Sequence, residues 1–225
     1  DGINQLETGL SDMDWLPFRL PAGIKLVVSF RNDDESGSAL YRELKDGGSV
    51  ILHEISPFKS IEDRKLLVSS YLSQYLKSID DRHLDLLVNS PGAGNPLYLK
   101  TVLSELRVFG SFPRLGEKIR KDFGDNPVSA FKAVLRRLEE DPAYTPVKPG
   151  LAVPVIFPLM AYSRGGLSVE ELTALLIQEL HLEDNAKQRE NARDTVLYFL
   201  RQVRPFLARK SGRYDFFYES FRNAA

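Results

Sequence analysis

The chain has 225 residues, 43% hydrophobic and 27% charged, with Lys+Arg 30 against Asp+Glu 31 and no cysteine. That length carries one or two domains with a sizeable core. A net charge of −1 supplies no global field for holding nucleic acid. The lack of cysteine excludes disulfides and thiolate metal sites; it fits a reducing cytosol, the expected cytoplasmic setting, and fits many other compartments as well. No apolar run reaches the roughly 18 residues of a membrane span, so no membrane partner is expected.

The first residues, DGINQLE, read as a loop. Gly23 then opens a short, β-branched apolar run over 24–30, the pattern of a buried parallel strand. It stops at the polar turn Arg31-Asn32-Asp33-Asp34, where ligands bind in open α/β sheets. A helix is predicted over 36–45 and a second short strand over 49–55. From there helices dominate. Ser60 with Asp63 resembles a capping box, and 80–88 keeps the helical period. The breaker Ser90-Pro91-Gly92-Ala93-Gly94 precedes a helix with Asn95 as N-cap and Pro96 at its first position. Its apolar face uses Leu97, Leu99, Val102, Leu103 and Leu106. Three prolines within 141–150 mark a candidate domain boundary. A second capping box, Ser168 with Glu171, starts a helix to about 180. The charged run 183–193 reads as a solvated loop or helix start, and a further helix runs to about 203. Residues 206–217 read as a hairpin turning at Gly212, and helices followed by such a hairpin make a winged helix.

Four features suggest chemistry. An acid at a strand end, Asp1, can hold Mg²⁺, which prefers one or two carboxylates plus phosphate oxygens. Arg31, a permanently charged fork, can sense a terminal phosphate. The others are the helix start at Gly94-Asn95-Pro96 and the C-terminal winged helix. The phosphate loop G-x-x-x-x-G-K-[ST] occurs nowhere in the chain. His53, His83 and His181 have no ligand-spaced partners. Phe206, Tyr214, Phe216, Phe217 and Phe221 read as core. Arg201, Arg204, Arg209, Lys210 and Arg213 make a locally basic wing, read as a solvated face.

The ordered set resembles the second half of a STAND-class P-loop ATPase of the NACHT type, an AAA+-related signalling switch of innate immunity. DGINQLE is similar to that family's Walker B segment, and KLVVSFR to its sensor 1 strand. GNPLYLKTVLSELRVFG resembles its helical-domain motif. SRGGLSVEELTALL and GRYDFFYESFRNA resemble its winged helix. The fold implied is mainly α, with a remnant of a parallel α/β P-loop sheet over 1–58, a helical lid domain over 59–142 and a winged helix over 143–225. The resemblance gives Asp1 the magnesium, Arg31 the sensor role and Pro96 a place near the base. Tyr218 takes the position of a histidine that touches the phosphates of ADP. It implies a fragment of a switch whose ATP-dependent oligomerisation brings effector domains together. ATP or ADP with Mg²⁺ would be the cofactors of the full-length protein. Partners would be further copies of itself, an upstream effector domain and downstream sensor repeats. Relatives carry acids where this chain has Asn4 and Gln5; Glu7 lies too far along to replace them. An amide is a poor general base, so the parent is expected to be a slow ATPase. The isolated chain, lacking the phosphate loop, is expected to be inactive and to bind no ATP. The alternative is a winged-helix nucleic-acid-binding module. The acids Glu170, Glu171 and Glu179 on the helix read as its recognition element disfavour nucleic acid as a partner.

Overall fold

A computed structural model describes residues 20–31, 35–47, 50–108, 115–141 and 145–225. The expectations for Asp1, Asn4, Gln5 and Glu7 lie outside these residues. The chain divides into two compact units, Asp1–Ser56 and Pro57–Ala225.

In the first unit, helix α1 (Glu35–Gly47) covers the predicted 36–45. Its Leu40 and Leu44 are buried, with Val28, Phe30 and Leu52 packed against them. The predicted strands 24–30 and 49–55 are not strands among the described residues. A strand is held by its neighbours' ladder rather than by its own sequence. Here Val27 is 91% exposed, Ile51 85% and Ile55 92%. The parallel sheet expected from those two apolar runs is therefore absent from the described residues, and the sheet found there is an antiparallel hairpin.

The second unit is helical. Its elements are α2 (Ile61–Ser73), α3 (Asp81–Val88), a 3-10 turn (Pro91–Gly94), α4 (Pro96–Val108), α5 (Leu115–Lys121) and α6 (Pro127–Glu139). Then come α7 (Pro149–Tyr162), α8 (Val169–Glu179), α9 (Ala186–Gln202), a 3-10 turn (Arg204–Phe206), β1 (Leu207–Lys210), β2 (Arg213–Phe216) and α10 (Glu219–Arg222). The helix starts follow from short polar caps, whose oxygens satisfy first-turn N–H groups that the helix leaves without partners. Ser60 Oγ accepts from Asp63 N at 3.2 Å. Asp80 Oδ1 accepts from His83 N at 3.1 Å. Asn126 Oδ1 accepts from Ser129 N at 3.0 Å. Ser168 and Glu171 form a full reciprocal box. Asn185 Oδ1 accepts from Gln188 N at 2.9 Å, so the charged run 183–193 enters α9.

Two cores lie in this unit. One joins α2 to α6 around Val68, Leu87, Tyr98, Leu103 and Phe123. The other joins α6 to α10 around Phe131, Phe157, Leu172, Phe199 and Phe221. Helix α6 serves both: Ala130 and Ala133 face the first, and Phe131, Val134 and Leu138 the second. The proline-rich stretch 141–150 thus joins elements of one compact unit.

The hairpin register is Leu207↔Phe216, Ala208↔Asp215, Arg209↔Tyr214 and Lys210↔Arg213. Its two-residue turn, Ser211-Gly212, has φ of 50° and 79°. Positive φ at both positions is the type I′ geometry that matches strand twist. A single bridge, Leu167↔Tyr214, adds a third chain segment beside β2. Gly166, just before that bridge, has φ 72°. No helix among the described residues is long and apolar enough to cross a membrane.

Candidate functional site

The start of α4 is built tightly. Asn95 Oδ1 accepts from Leu97 N at 2.9 Å and from Tyr98 N at 3.2 Å, and Pro96 takes the first helical position as predicted. The 3-10 turn before it needs Gly92, because a Cβ there would lie 2.7 Å from the Tyr98 ring and 2.8 Å from Asp125 O. The Tyr98 hydroxyl donates to Gly124 O at 2.9 Å. Arg64 fixes the other side, donating from Nη2 to Phe58 O at 2.6 Å and from Nη1 to Val88 O at 2.9 Å. Phe58 N in turn donates to Gly94 O at 2.8 Å. Pro96 itself is exposed on this rigid base.

One turn further along α4, Lys100 Nζ donates to the Tyr218 hydroxyl at 3.0 Å. The same ammonium lies 5.3 Å from the centre of the Tyr218 ring, close enough for a cation–π attraction. Tyr218 sits between β2 and α10. Its ring faces Phe131 at 6.4 Å and Phe206 at 6.5 Å. Phe131 stacks on Phe221 at 4.5 Å with planes 5° apart. These aromatics are core, as the sequence suggested, except Phe217, which is 66% exposed. Two of the predicted positions, Pro96 and Tyr218, are thus linked through α4 and Lys100. Arg31 is exposed and belongs to the first unit.

Behind this site lies a polar network that the sequence reading missed. Glu105, on α4, has a side chain only 4% exposed. Arg137 on α6 holds it with a two-pronged fork, Nε to Oε2 at 2.6 Å and Nη2 to Oε1 at 3.2 Å. Arg137 also lies 3.9 Å from Asp141, whose Oδ2 accepts from the Tyr198 hydroxyl on α9 at 2.9 Å. Burial pushes the Glu105 carboxyl up, and the Arg137 fork pulls it part of the way back. The available signal was an acid set between Ser104 and Leu106 in a run whose residues are otherwise apolar at helical spacing. Lys100 left no such signal; its partner is 118 residues away in the chain.

The histidines are not brought together. His53 and His181 are exposed. His83 pairs with Asp80, the cap of its own helix, and this bond holds the Asp80 carboxyl below its ordinary value. No group of three potential metal-binding side chains occurs among the described residues. A groove of about 720 Å³ runs between α8 and α9, lined by Glu170, Ile177, His181, Leu182, Arg189 and Arg193 among others. Arg189 is already paired with Asp184 there at 2.6 Å.

No family model matches the chain, and no solved structure matches it. Curated proteins do. The chain is 30% identical over 182 residues to a TPR repeat-containing protein of Dictyostelium discoideum, covering 80% of this chain and 10% of that protein. It is 27% identical over 198 residues to telomerase protein component 1 of Rattus norvegicus, covering 85% of this chain and 7% of the relative. The Mus musculus protein of the same name is 27% identical over 196 residues, covering 84% of this chain and 7% of the relative. The chain therefore spans a tenth or less of the curated relatives it matches.

Proposed function

We propose that this chain is part of a nucleotide-regulated signalling switch of the NACHT type, cytoplasmic, and that α4 and the C-terminal elements form its nucleotide-responsive body. The observation that carries the reading is the hydrogen bond from Lys100 Nζ to the Tyr218 hydroxyl at 3.0 Å. It joins the helix start that bears Pro96 to the segment that follows the hairpin. The same joint offers a cation, a phenol and an exposed proline edge to a ligand. A phosphate oxygen suits the first two, since both donate hydrogen bonds. In this reading α7, α8, α9 and the β1–β2 hairpin are a winged helix. The relatives' length supports a module set within a much longer protein.

The fit to the cofactors is partial on the described residues. Lys100, Tyr218 and Arg31 are phosphate-compatible; the proposed magnesium residue is Asp1, outside them. ATP or ADP, when bound, would supply the charge that the cation and phenol respond to. The chain's own residues would do the sensing: Arg31 by its fixed charge, Lys100 by exchanging Tyr218 for phosphate. The exposed apolar residues Val27, Ile51 and Ile55 suit edges that pair with a larger sheet in the longer protein. Asn4 and Gln5 suit slow turnover.

In the longer protein that carries this chain, Arg31→Ala should weaken nucleotide-dependent assembly, and Tyr218→Phe should shift the nucleotide concentration at which assembly begins. Light scattering on the wild type and both variants reads this out. Assembly unchanged in both variants contradicts the proposal.

A further inference from the structure

Residues 195–214 hold five cations and no acid, in a chain whose Lys+Arg 30 and Asp+Glu 31 otherwise balance. Arg201 ends α9, Arg204 sits in the 3-10 turn, and Arg209, Lys210 and Arg213 crowd the tip of the hairpin. All five are exposed. Arg213 is paired with Glu171 at 2.5 Å and donates to Gly166 O at 2.8 Å. Among the described residues no carboxylate pairs with Arg201, Arg204, Arg209 or Lys210. Some exposed cations elsewhere are matched, as in Lys121–Glu117 at 2.7 Å and Arg189–Asp184 at 2.6 Å, and others, such as Lys132 and Lys187, are exposed on helices. What distinguishes these five is their density: they fall within 13 residues of chain that hold no acid, three of them on the hairpin.

We propose that the β1–β2 hairpin, with the end of α9, binds the phosphate backbone of a single-stranded nucleic acid without reading its base sequence. Three observations select this partner among polyanions. Four of the five cations are arginines, whose planar forks suit phosphate. Arg209 lies 5.3 Å from the Tyr214 ring centre, so an aromatic is already interleaved with the cations. Phe217, directly after β2, is 66% exposed, and such rings stack on bases of any identity. A lipid surface would want apolar side chains beside the cations to insert, and the hairpin tip carries Ser211 and Gly212 there. Duplex base reading is a different matter: α8 presents Glu170 and Glu171 in its first turn. The inference uses none of Asp1, Arg31, Pro96, Lys100 or Tyr218, so it stands or falls apart from the nucleotide switch.

Fluorescence anisotropy of a labelled 20-nucleotide oligouridine with the 225-residue chain, over a salt series, tests it. Four released contacts at about 0.7 each predict a log–log salt slope of about −3. R201Q/R204Q/R209Q/K210Q should weaken binding at least tenfold at low salt, flatten the slope and leave the melting temperature in place. The single variants R204Q and K210Q should each remove roughly 0.7 from the slope, which keeps the test decisive if the quadruple variant unfolds. K132Q/K187Q should bind like the wild type. No binding at low salt overturns the proposal, as does a quadruple variant that binds unchanged. Polyglutamate bound as tightly with the same slope points to an acidic polypeptide and also overturns it. Sedimentation with phosphatidylserine vesicles, without oligouridine binding, does the same.

Discussion

Replacing Gly166 with alanine should lower the melting temperature of the chain by roughly 5–15 °C. Two costs add. With φ at 72°, any side chain strains the backbone, by about 1–2 kcal/mol for an L-residue in the left-handed region. The new Cβ would also collide with the Tyr214 carbonyl oxygen and lie 2.9 Å from its carbon. Backbone cannot swing aside as a side-chain tip can. Relief requires opening the bridge in which Leu167 N donates to Tyr214 O at 2.9 Å and Tyr214 N to Leu167 O at 2.8 Å, at about 1 kcal/mol for each bond. The Arg213 bond to Gly166 O at 2.8 Å is exposed to the same shift. Gly212→Ala is the internal comparison. Its φ is 79°, yet nothing lies within 4 Å of its Cβ, so only the backbone cost of about 1–2 kcal/mol remains. Calorimetry on both variants separates collision from strain; equal losses would show that the Tyr214 contact is not limiting.

Arg137→Met should be more damaging still, at about 3–5 kcal/mol, because it leaves a buried carboxylate without its counter-charge. The Glu105 side chain is 4% exposed, so water cannot replace the lost fork. The effect has a signed pH dependence. Burial already raises the Glu105 carboxyl, and Arg137 is the main opposing influence. Without it the folded-state value climbs further above the unfolded value of about 4.3. An acid raised in the folded state binds more protons there, so stability falls as pH rises from the unfolded value through the folded one. The deficit of the variant against wild type should therefore be small near pH 4 and grow as pH rises above it. Glu105→Leu combined with Arg137→Leu should recover much of the loss, since replacing both partners leaves no buried charge. Urea titrations at several pH values measure all three. A deficit independent of pH would mean that lost packing of the arginine, rather than a stranded charge, sets the cost.

These two sites show where the sequence was legible. The caps at Ser60 and Ser168 are local chemistry, three residues from the accepting side chain to the donating N–H, and those helix starts followed from them. Asn95 and Pro96 were readable for the same reason. So was the hairpin, because its register hangs on the Ser211-Gly212 turn. The runs 24–30 and 49–55 form no strand among the described residues, since an apolar β-branched run becomes a strand only beside a partner. The basic wing was visible as composition, but which cations lack carboxylates depends on Glu171, far back in the chain. The Lys100–Tyr218 joint and the Glu105–Arg137 fork span 118 and 32 residues. Contacts of that separation follow from packing of both α4 and α10 against α6, which no local pattern encodes.

The nucleotide switch is tested most directly by titrating ADP into the longer protein that carries this chain, by calorimetry, with Lys100→Met in parallel. A switch of the proposed kind binds ADP in the wild type. The variant should bind about tenfold more weakly or worse, the loss of one charge-assisted contact to phosphate. A wild-type protein that binds neither ADP nor ATP would contradict it.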